Sequence, residues 1–377
     1  MRSMSKILIS QKDLHATRAG VPRKVHEEIK FFASKGHQAY AIAERIDKDA
    51  VLSSGGTPVK TFRWPISGFY RRINYLKRVE KFVKKNSPDL IIGHGDIVHQ
   101  DICYIHNCVH LAYELINGKK IPADHEVAKI HEMILKTQDF KVLVCNSQLM
   151  KNELTQRFNI PEDKAVVIHP EYNPKRFNLD GAKLRAKKRS ELGLSQADTV
   201  IGLITSGNWK KRNLDLLIKA CAELKKTPDK PFKVLVAGKD KADKYIAKLE
   251  DLNLKDDFIF APSINAVEEY YHAIDIFTLP AHIEEFGRSI LEAMGCGLPV
   301  VPSNMTGASE LIEGESQKFI LKEKTPAEYA QKLKALLENP ELRKSVGKLN
   351  YETAINHTDE ARANDFEDLL RSRGLFF

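Results

Sequence analysis

This chain of 377 residues is short of several things, and each shortage excludes a class of protein. Its five cysteines, Cys103, Cys108, Cys145, Cys221 and Cys296, are odd in number, scattered and without CxxC spacing. They exclude a disulfide framework and read as reduced thiols, packed as small apolar residues in a reducing compartment. No apolar run approaches the roughly 18 to 20 residues needed to cross a bilayer. The opening MRSMSKILISQKDLH has a short apolar run but no small-residue cleavage site, so it reads as a first strand and not as a signal peptide. A cytoplasmic protein is expected. Low-complexity tracts are missing too, and with 42% apolar and 29% charged residues the chain is globular. At this length one core is rarely enough, and two domains are expected.

What is present is first a lopsided charge. Residues 1–170 hold 27 Lys and Arg against 18 Asp and Glu, whereas residues 171–377 hold 32 of each, so the whole net charge of +9 sits in the first half. That half is built to face something anionic. Its most basic segment is YRRINYLKRVEKFVKKN (Tyr70 to Asn86), where Tyr70, Ile73, Leu76, Val79 and Phe82 recur at helical spacing among seven cations and one glutamate. Such a helix suits an anionic bilayer surface or a phosphorylated glycolipid, or is the basic outer face of a core-packed helix. Nucleic acid is not expected, because no recognition module appears.

Second, short Val/Ile/Leu-rich runs alternate with helical patterns. In the first half the strands are KILIS, QAYAIAE, LIIGHG, ICYIHN and KVLVCNS, and a helix is predicted over Val21 to His37 with Gly36 as its stop. After an irregular Pro- and Asn-bearing stretch, HPEYNPKRFNLDG (His169 to Gly181), the rhythm restarts with TVIGLITSG, KVLVAGK, FIFAPS, DIFTLPA and PVVPSN. Near-continuous apolar strands separated by helices imply parallel sheets covered on both faces. The expected fold class is therefore α/β, with two doubly wound domains at residues 1–175 and 176–358. Ligands of such sheets bind beyond the carboxyl ends of the strands, which makes a cleft between the domains the default site.

Third, HIEEFGRSILEAMGCGLPVV (His282 to Val301) places Glu284 and Glu292 on either side of a predicted helix start. Gly287 there lets a ligand approach the backbone, and the amides of Gly287, Arg288 and Ser289 form an anion site helped by the helix dipole. Two acceptors flanking a phosphate site describe a sugar nucleotide, one for the ribose and one for the hexose. The bland alternative is that Glu284 or Glu285 caps the helix and Glu292 is a solvated charge.

The segment EEFGRSILEAMGCGLPVV resembles the E-x7-E element of retaining GT-B glycosyltransferases, glycosyltransferase family 4 (group 1). The likeness extends to GLITSGNWKKRNLDLLIKA (Gly202 to Ala220) and SNMTGASELI (Ser303 to Ile312), and in looser form to Val142 to Phe177, where it is nearest to lipopolysaccharide core glucosyltransferases. The resemblance implies two Rossmann-like domains facing each other across a cleft, with a C-terminal helix (residues 359–377) crossing back onto the first. It implies that Glu292 binds ribose hydroxyls and Glu284 the donor sugar, assisted by the amides of Phe286 and Gly287. Register against LDLLI puts the family's basic pair at Lys211 and Arg212, which neutralise the donor diphosphate; otherwise they form an ordinary basic turn. Such a pair makes a metal unnecessary.

In the first domain the family commonly carries a Gly-Gly pair beside the phosphates. This chain has Ala19-Gly20, so Gly20 alone keeps that position or serves as a turn glycine. His106, or the adjacent Asn107, matches a family position near the donor sugar and reacting centre; a buried structural histidine is the alternative. His94, His99, His106, His110, Cys103 and Cys108 have spacings that fit neither HExxH nor a CxxC pair, and no metal is expected. The expected function is transfer of a hexose from a nucleoside diphosphate sugar, UDP-glucose first and GDP-mannose second, to a glycan or glycolipid in cell-envelope synthesis. The sugar nucleotide is a co-substrate and no cofactor is expected. His106 and Glu284 are the expected catalytic residues. A sugar-nucleotide epimerase of this fold, a glycoside hydrolase and a non-catalytic binding protein are the competing readings.

Overall fold

The computed structural model describes residues 4–15, 20–65, 67–226 and 231–375. The chain divides into two units, Met1–Ile168 with Asp365–Phe377, and His169–Asn364. Besides a two-stranded pairing of Asp13–Leu14 with Arg45–Ile46, the first holds seven strands: β1 (Lys6–Ser10), β2 (Gln38–Ala43), β3 (Thr57–Lys60), β4 (Leu90–Gly93), β5 (Ile102–Tyr104), β6 (Val142–Cys145) and β7 (Ala165–Val167). They form one parallel sheet in the order β3-β2-β1-β4-β5-β6-β7. Both faces of this sheet are covered. Ile7 and Ile9 pack with Val25, Ile29 and Phe32 of α1 (Gly20–Ser34), while Leu8, pointing the other way, packs with Tyr75 and Val79 of α2 (Phe69–Asn86). Alternation along one strand thus feeds two cores. Each fully buried aliphatic side chain contributes about 1.5 to 3 kcal/mol.

The second unit repeats the plan with β8 (Thr199–Ile204), β9 (Phe232–Gly238), β10 (Phe258–Pro262), β11 (Ile276–Leu279) and β12 (Val300–Pro302), all parallel, in the order β10-β9-β8-β11-β12. Ile201 and Leu203 of β8 enter one core together with Leu217 of α3 (Leu214–Lys225), and Val200 and Ile204 enter the other. In each sheet the strand order reverses between its first and fourth strands, β1 and β4 or β8 and β11, so the loops leaving their carboxyl ends diverge and open a crevice.

The strands expected from the sequence are all present, and two more join the first unit's large sheet. β3 reads TPVK and β7 reads AVV; both lie at sheet edges, where Pro58 is tolerated because an edge strand can spare an amide. The first unit ends at Ile168 rather than at residue 175, because Tyr172 and Phe177 of the linker-like stretch are buried in the second unit's core. The Tyr172 amide donates to the His357 carbonyl and its carbonyl accepts from the Asp359 amide, which fixes that stretch. The last helix (Asp365–Ser372) belongs to the first unit. Phe366 meets the rings of Phe31 and Phe32 edge-on at 5.3 and 5.8 Å, and Glu367 pairs with Lys35 at 2.7 Å.

Candidate functional site

The loops leaving β8 and β11, neighbours at the second sheet's reversal point, carry most of the sequence-predicted site. After β8 the chain turns through Gly207, Asn208 and Asn213, all in left-handed backbone that Gly and Asn adopt at low cost. Asn208 Oδ1 accepts from the Lys211 amide at 3.1 Å, and the Lys211 carbonyl accepts from the His282 amide at 3.0 Å, so the two loops are tied together. After β11 the segment Glu284 to Phe286 is held by the SNMTGASELI stretch: Glu284 donates to the Met305 carbonyl at 2.8 Å, Gly307 donates back to Glu284 at 2.9 Å, and Ala308 donates to Phe286 at 2.6 Å.

Helix α4 (Arg288–Gly295) starts immediately afterwards. Gly287 has φ of 90°, and a Cβ on it would lie 2.8 Å from Thr306 Cγ2, so glycine is required by conformation and by space. Among the described residues no side chain caps this helix at Gly287. Its first amides lack intrahelical acceptors, and the helix dipole adds partial positive charge at that end.

Lys211 and Arg212 are not left open. Lys211 Nζ lies 2.6 Å from Glu285 Oε2 and Arg212 Nη2 lies 2.7 Å from Glu284 Oε2. All four side chains are mostly buried, so desolvation makes each ion costly and its partner necessary. Burial raises the Glu284 carboxyl pKa, and Arg212 and Lys211 pull it back down. Glu285, which the sequence suggested as a helix cap, is instead a buried partner of Lys211. Glu292 is half-buried, and its Oε2 accepts a hydrogen bond from the Tyr271 hydroxyl at 2.8 Å. Ser289 lies beside the same tyrosine. Arg288 turns toward Glu171 at 4.0 Å.

A feature the sequence reasoning missed lies at the carboxyl ends of β9 and β10. Trp209, Gly238, Lys239, Asp240, Phe260 and Ser263 help to line a cavity of about 430 Å³. Gly238 gives Trp209 room: a Cβ there would sit 2.7 Å from the indole Nε1. The signal was available, since VLVAGK and FIFAPS end at the same edge as the motif, but neither strand end carries a recognisable residue pattern.

In the first unit, His106 follows β5 at the carboxyl edge of the sheet and is half-buried. Its Nε2 lies 3.0 Å from His94 Nδ1. Burial, with His94, His131 and Lys24 adding to it, puts its pKa well below the ordinary histidine value. Gly20 opens α1 without positive φ, and a Cβ on it would meet nothing within 4 Å, so no steric demand for glycine exists there; Ala19 lies outside the described residues. The basic helix α2 divides its charges. Arg71 pairs with the buried Glu44 and Arg72 with Asp96 at 2.6 Å, whereas Lys77, Lys81, Lys84 and Lys85 are exposed. The single cationic outer face expected from the sequence therefore lacks its first two arginines, which are drawn in by buried carboxylates. Among the described residues no group of three or more His, Cys, Asp or Glu is placed to hold a metal, and no helix is long and apolar enough to cross a membrane.

Comparison with known proteins bears on both units. The pattern of the family described as Glycosyltransferase Family 4 matches residues 18–176, and that of Glycosyl transferases group 1 matches residues 185–353. Among curated relatives, a D-inositol 3-phosphate glycosyltransferase of Streptomyces scabiei is 25% identical over 284 residues, spanning 68% of this chain and 63% of the relative. The enzyme of the same description from Kineococcus radiotolerans is 28% identical over 224 residues, spanning 54% and 51%. The chain thus covers less than two thirds of the length of these relatives. Among solved structures, WaaG, a glycosyltransferase involved in lipopolysaccharide biosynthesis, superposes with a TM-score of 0.78 at 18% identity, covering 96% of this chain and 98% of that one. HepE of Anabaena, in complex with UDP-glucose, gives 0.75 at 16% identity, covering 98% and 100%. Two consecutive matches that leave little of either unit uncovered, on a pair of parallel sheets with the GT-B fold, identify the chain as a member of the group 1, family 4 glycosyltransferases.

Proposed function

We propose that this transferase moves a hexose from a nucleoside diphosphate sugar to a hydroxyl of a glycan or glycolipid, with retention of configuration and without a metal. UDP-glucose is the favoured donor and GDP-mannose the second. The observation that carries the reading is the packing of two cations, Lys211 and Arg212, against the segment that opens the uncapped helix α4. A diphosphate arriving there takes over the cations from Glu284 and Glu285 and rests on the amides of Gly287, Arg288 and Ser289. Glu284, released from Arg212, accepts from the donor sugar, and Glu292 accepts from the ribose. The base occupies the cavity beside Trp209 and Phe260.

The chemistry follows from where charge develops. As the glycosidic bond breaks, electrons move onto the leaving diphosphate, and fixed cations plus helix amides stabilise that charge without having to reorganise. This is the work a divalent cation does in other transferases, and the ammonium and guanidinium supply it here. His106, on the first unit, accepts from a hydroxyl of the acceptor, which that unit takes. UDP-glucose is favoured because HepE, of the same fold, holds it. A role in cell-envelope glycan synthesis is proposed from the likeness to WaaG, a glycosyltransferase involved in lipopolysaccharide biosynthesis. Calorimetry with UDP-glucose, GDP-mannose and ADP-glucose, each with EDTA present, tests the donor. UDP-glucose is expected to bind best; binding of none, or only after magnesium is added, overturns the proposal.

An anionic membrane face is proposed as well. Phe62 and Tyr70 are 57% and 76% exposed, next to the lysine row of α2, and Arg78 stacks over the Phe62 ring. Aromatic rings beside cations suit the headgroup region of a bilayer. The protein is expected to sediment with phosphatidylserine-containing vesicles at low salt and to stay in solution with phosphatidylcholine vesicles. Equal behaviour with both removes this face.

A further inference from the structure

We propose that Glu28 and His94 are positioning residues that set the tautomer of His106, so that His106 offers the lone pair of its Nδ1 to a substrate hydroxyl. The proposal rests on the reading of His106 as a substrate-facing residue given above.

Three elements bring these side chains together. Glu28 comes from α1, His94 from the turn after β4, and His106 from the loop after β5. Glu28 is 1% and His94 4% exposed. His94 Nε2 lies 3.0 Å from Glu28 Oε2, and His94 Nδ1 lies 3.0 Å from His106 Nε2. The rings of Tyr104, His94 and His106 are parallel to within 5°, which holds both imidazoles in one orientation.

Hydrogen-bond polarity then propagates along the row. An ionised carboxylate only accepts, so His94 Nε2 must carry a proton. A neutral imidazole has one proton, so His94 Nδ1 accepts, and the proton between the two rings belongs to His106 Nε2. The remaining nitrogen of His106, Nδ1, is left as an acceptor. The groups facing the row are Glu28 and Lys24 from α1 and His131 from the helix Glu126–Thr137. His131 is buried, with its pKa pushed down to about 3 by that burial and by Arg72 and other histidines, so it is neutral at physiological pH.

The cost of the arrangement argues against a purely packing role. Glu28 Oε1 is buried and has no hydrogen-bond partner among the described residues, so the carboxylate is held in the interior with half of its acceptor capacity unused. A neutral partner could satisfy His94 at less desolvation cost, but it would not dictate polarity.

The test reads the tautomer directly. Long-range ¹H–¹⁵N spectra of the histidine-labelled full-length protein at pH 7.5, with His106 assigned through a His106→Asn variant, are expected to show protonated Nε2 and bare Nδ1. In Glu28→Gln the carboxamide can present either polarity to His94, so a protonated Nδ1 population of His106 is expected to appear. UDP release from UDP-glucose is expected to slow by on the order of tenfold to a hundredfold in kcat, with donor KM unchanged. Protonated Nδ1 in the wild type, or a Glu28→Gln protein with wild-type spectrum and wild-type kcat, overturns the proposal. Wild-type kcat in His106→Ala overturns it at a different point, by removing the substrate role of His106 while the tautomer, read in the free protein, stands.

Discussion

The two sheets share a strand order and send their functional loops off the same edge, yet they fill that edge with opposite chemistry. In the second unit it holds permanent charges in close pairs, Lys211 with Glu285 and Arg212 with Glu284. In the first unit it holds imidazoles that burial keeps neutral, His106 and His131, behind the single carboxylate of Glu28. An ammonium or guanidinium beside a carboxylate keeps its charge across the neutral range, whereas an imidazole in apolar surroundings gives its charge up. An anionic leaving group needs the first kind of site. A hydroxyl that must be oriented needs the second.

The largest expected effect breaks the comparison at its charged end. Removing both cations with Lys211→Ala/Arg212→Ala is expected to weaken UDP-glucose binding by on the order of a hundredfold or more, since hydrogen bonds to charged groups are each worth about 1.5 to 3 kcal/mol. Titration calorimetry reads this directly, and circular dichroism reports whether the fold survives with Glu284 and Glu285 unpaired. An unchanged Kd in a folded double variant would show that those pairs are structural. Next in size is Glu292→Ala. On the proposed reading it deletes the acceptor for the ribose hydroxyls, and it also leaves the Tyr271 hydroxyl without its acceptor; roughly a tenfold loss of affinity is expected for neutral donors to that carboxylate. UDP and free glucose, titrated separately, locate the loss: it should fall on UDP alone.

Much of this was legible before the structure. The strands were readable because residues such as Ile7 to Ile9 and Leu90 to Ile92 are apolar without interruption, as a doubly covered parallel sheet demands. The helix start at Gly287 was readable because a glycine ahead of SILEAMG has few other uses, and its φ of 90° bears out that need. What could not be read were pairings between distant segments. Glu285 looked like a cap because its partner, Lys211, is 74 residues away. Glu28 sits in an ordinary amphipathic helix, and its bond to His94 spans 66 residues. Arg71 and Arg72 looked like two more members of a basic face until Glu44 and Asp96 came beside them. In each case the side chain's role is set by which strand ends lie next to each other, and strand order is not written in any local pattern.

The smallest effect sharpens the comparison at its neutral end. His131 is 6% exposed, and its folded pKa of about 3 lies below the ordinary histidine value of 6.5. The unfolded chain takes up a proton below that ordinary value and the folded chain does not, so the stability His131 contributes is full above about pH 6.5 and is lost as pH falls toward the folded value. One such group gives a slope of at most about 1.4 kcal/mol per pH unit in that window. Glu284 acts with the other sign: its raised pKa makes its contribution full below the ordinary glutamate value and lost as pH rises through the folded one. Between pH 6.5 and 5 the wild type is therefore expected to lose stability in urea, and His131→Leu to lose it less steeply by about one proton's worth, while Glu284→Gln is not expected to flatten the acid loss. Equal slopes in wild type and His131→Leu would mean that the first edge is charged after all, and the contrast between the two units would disappear.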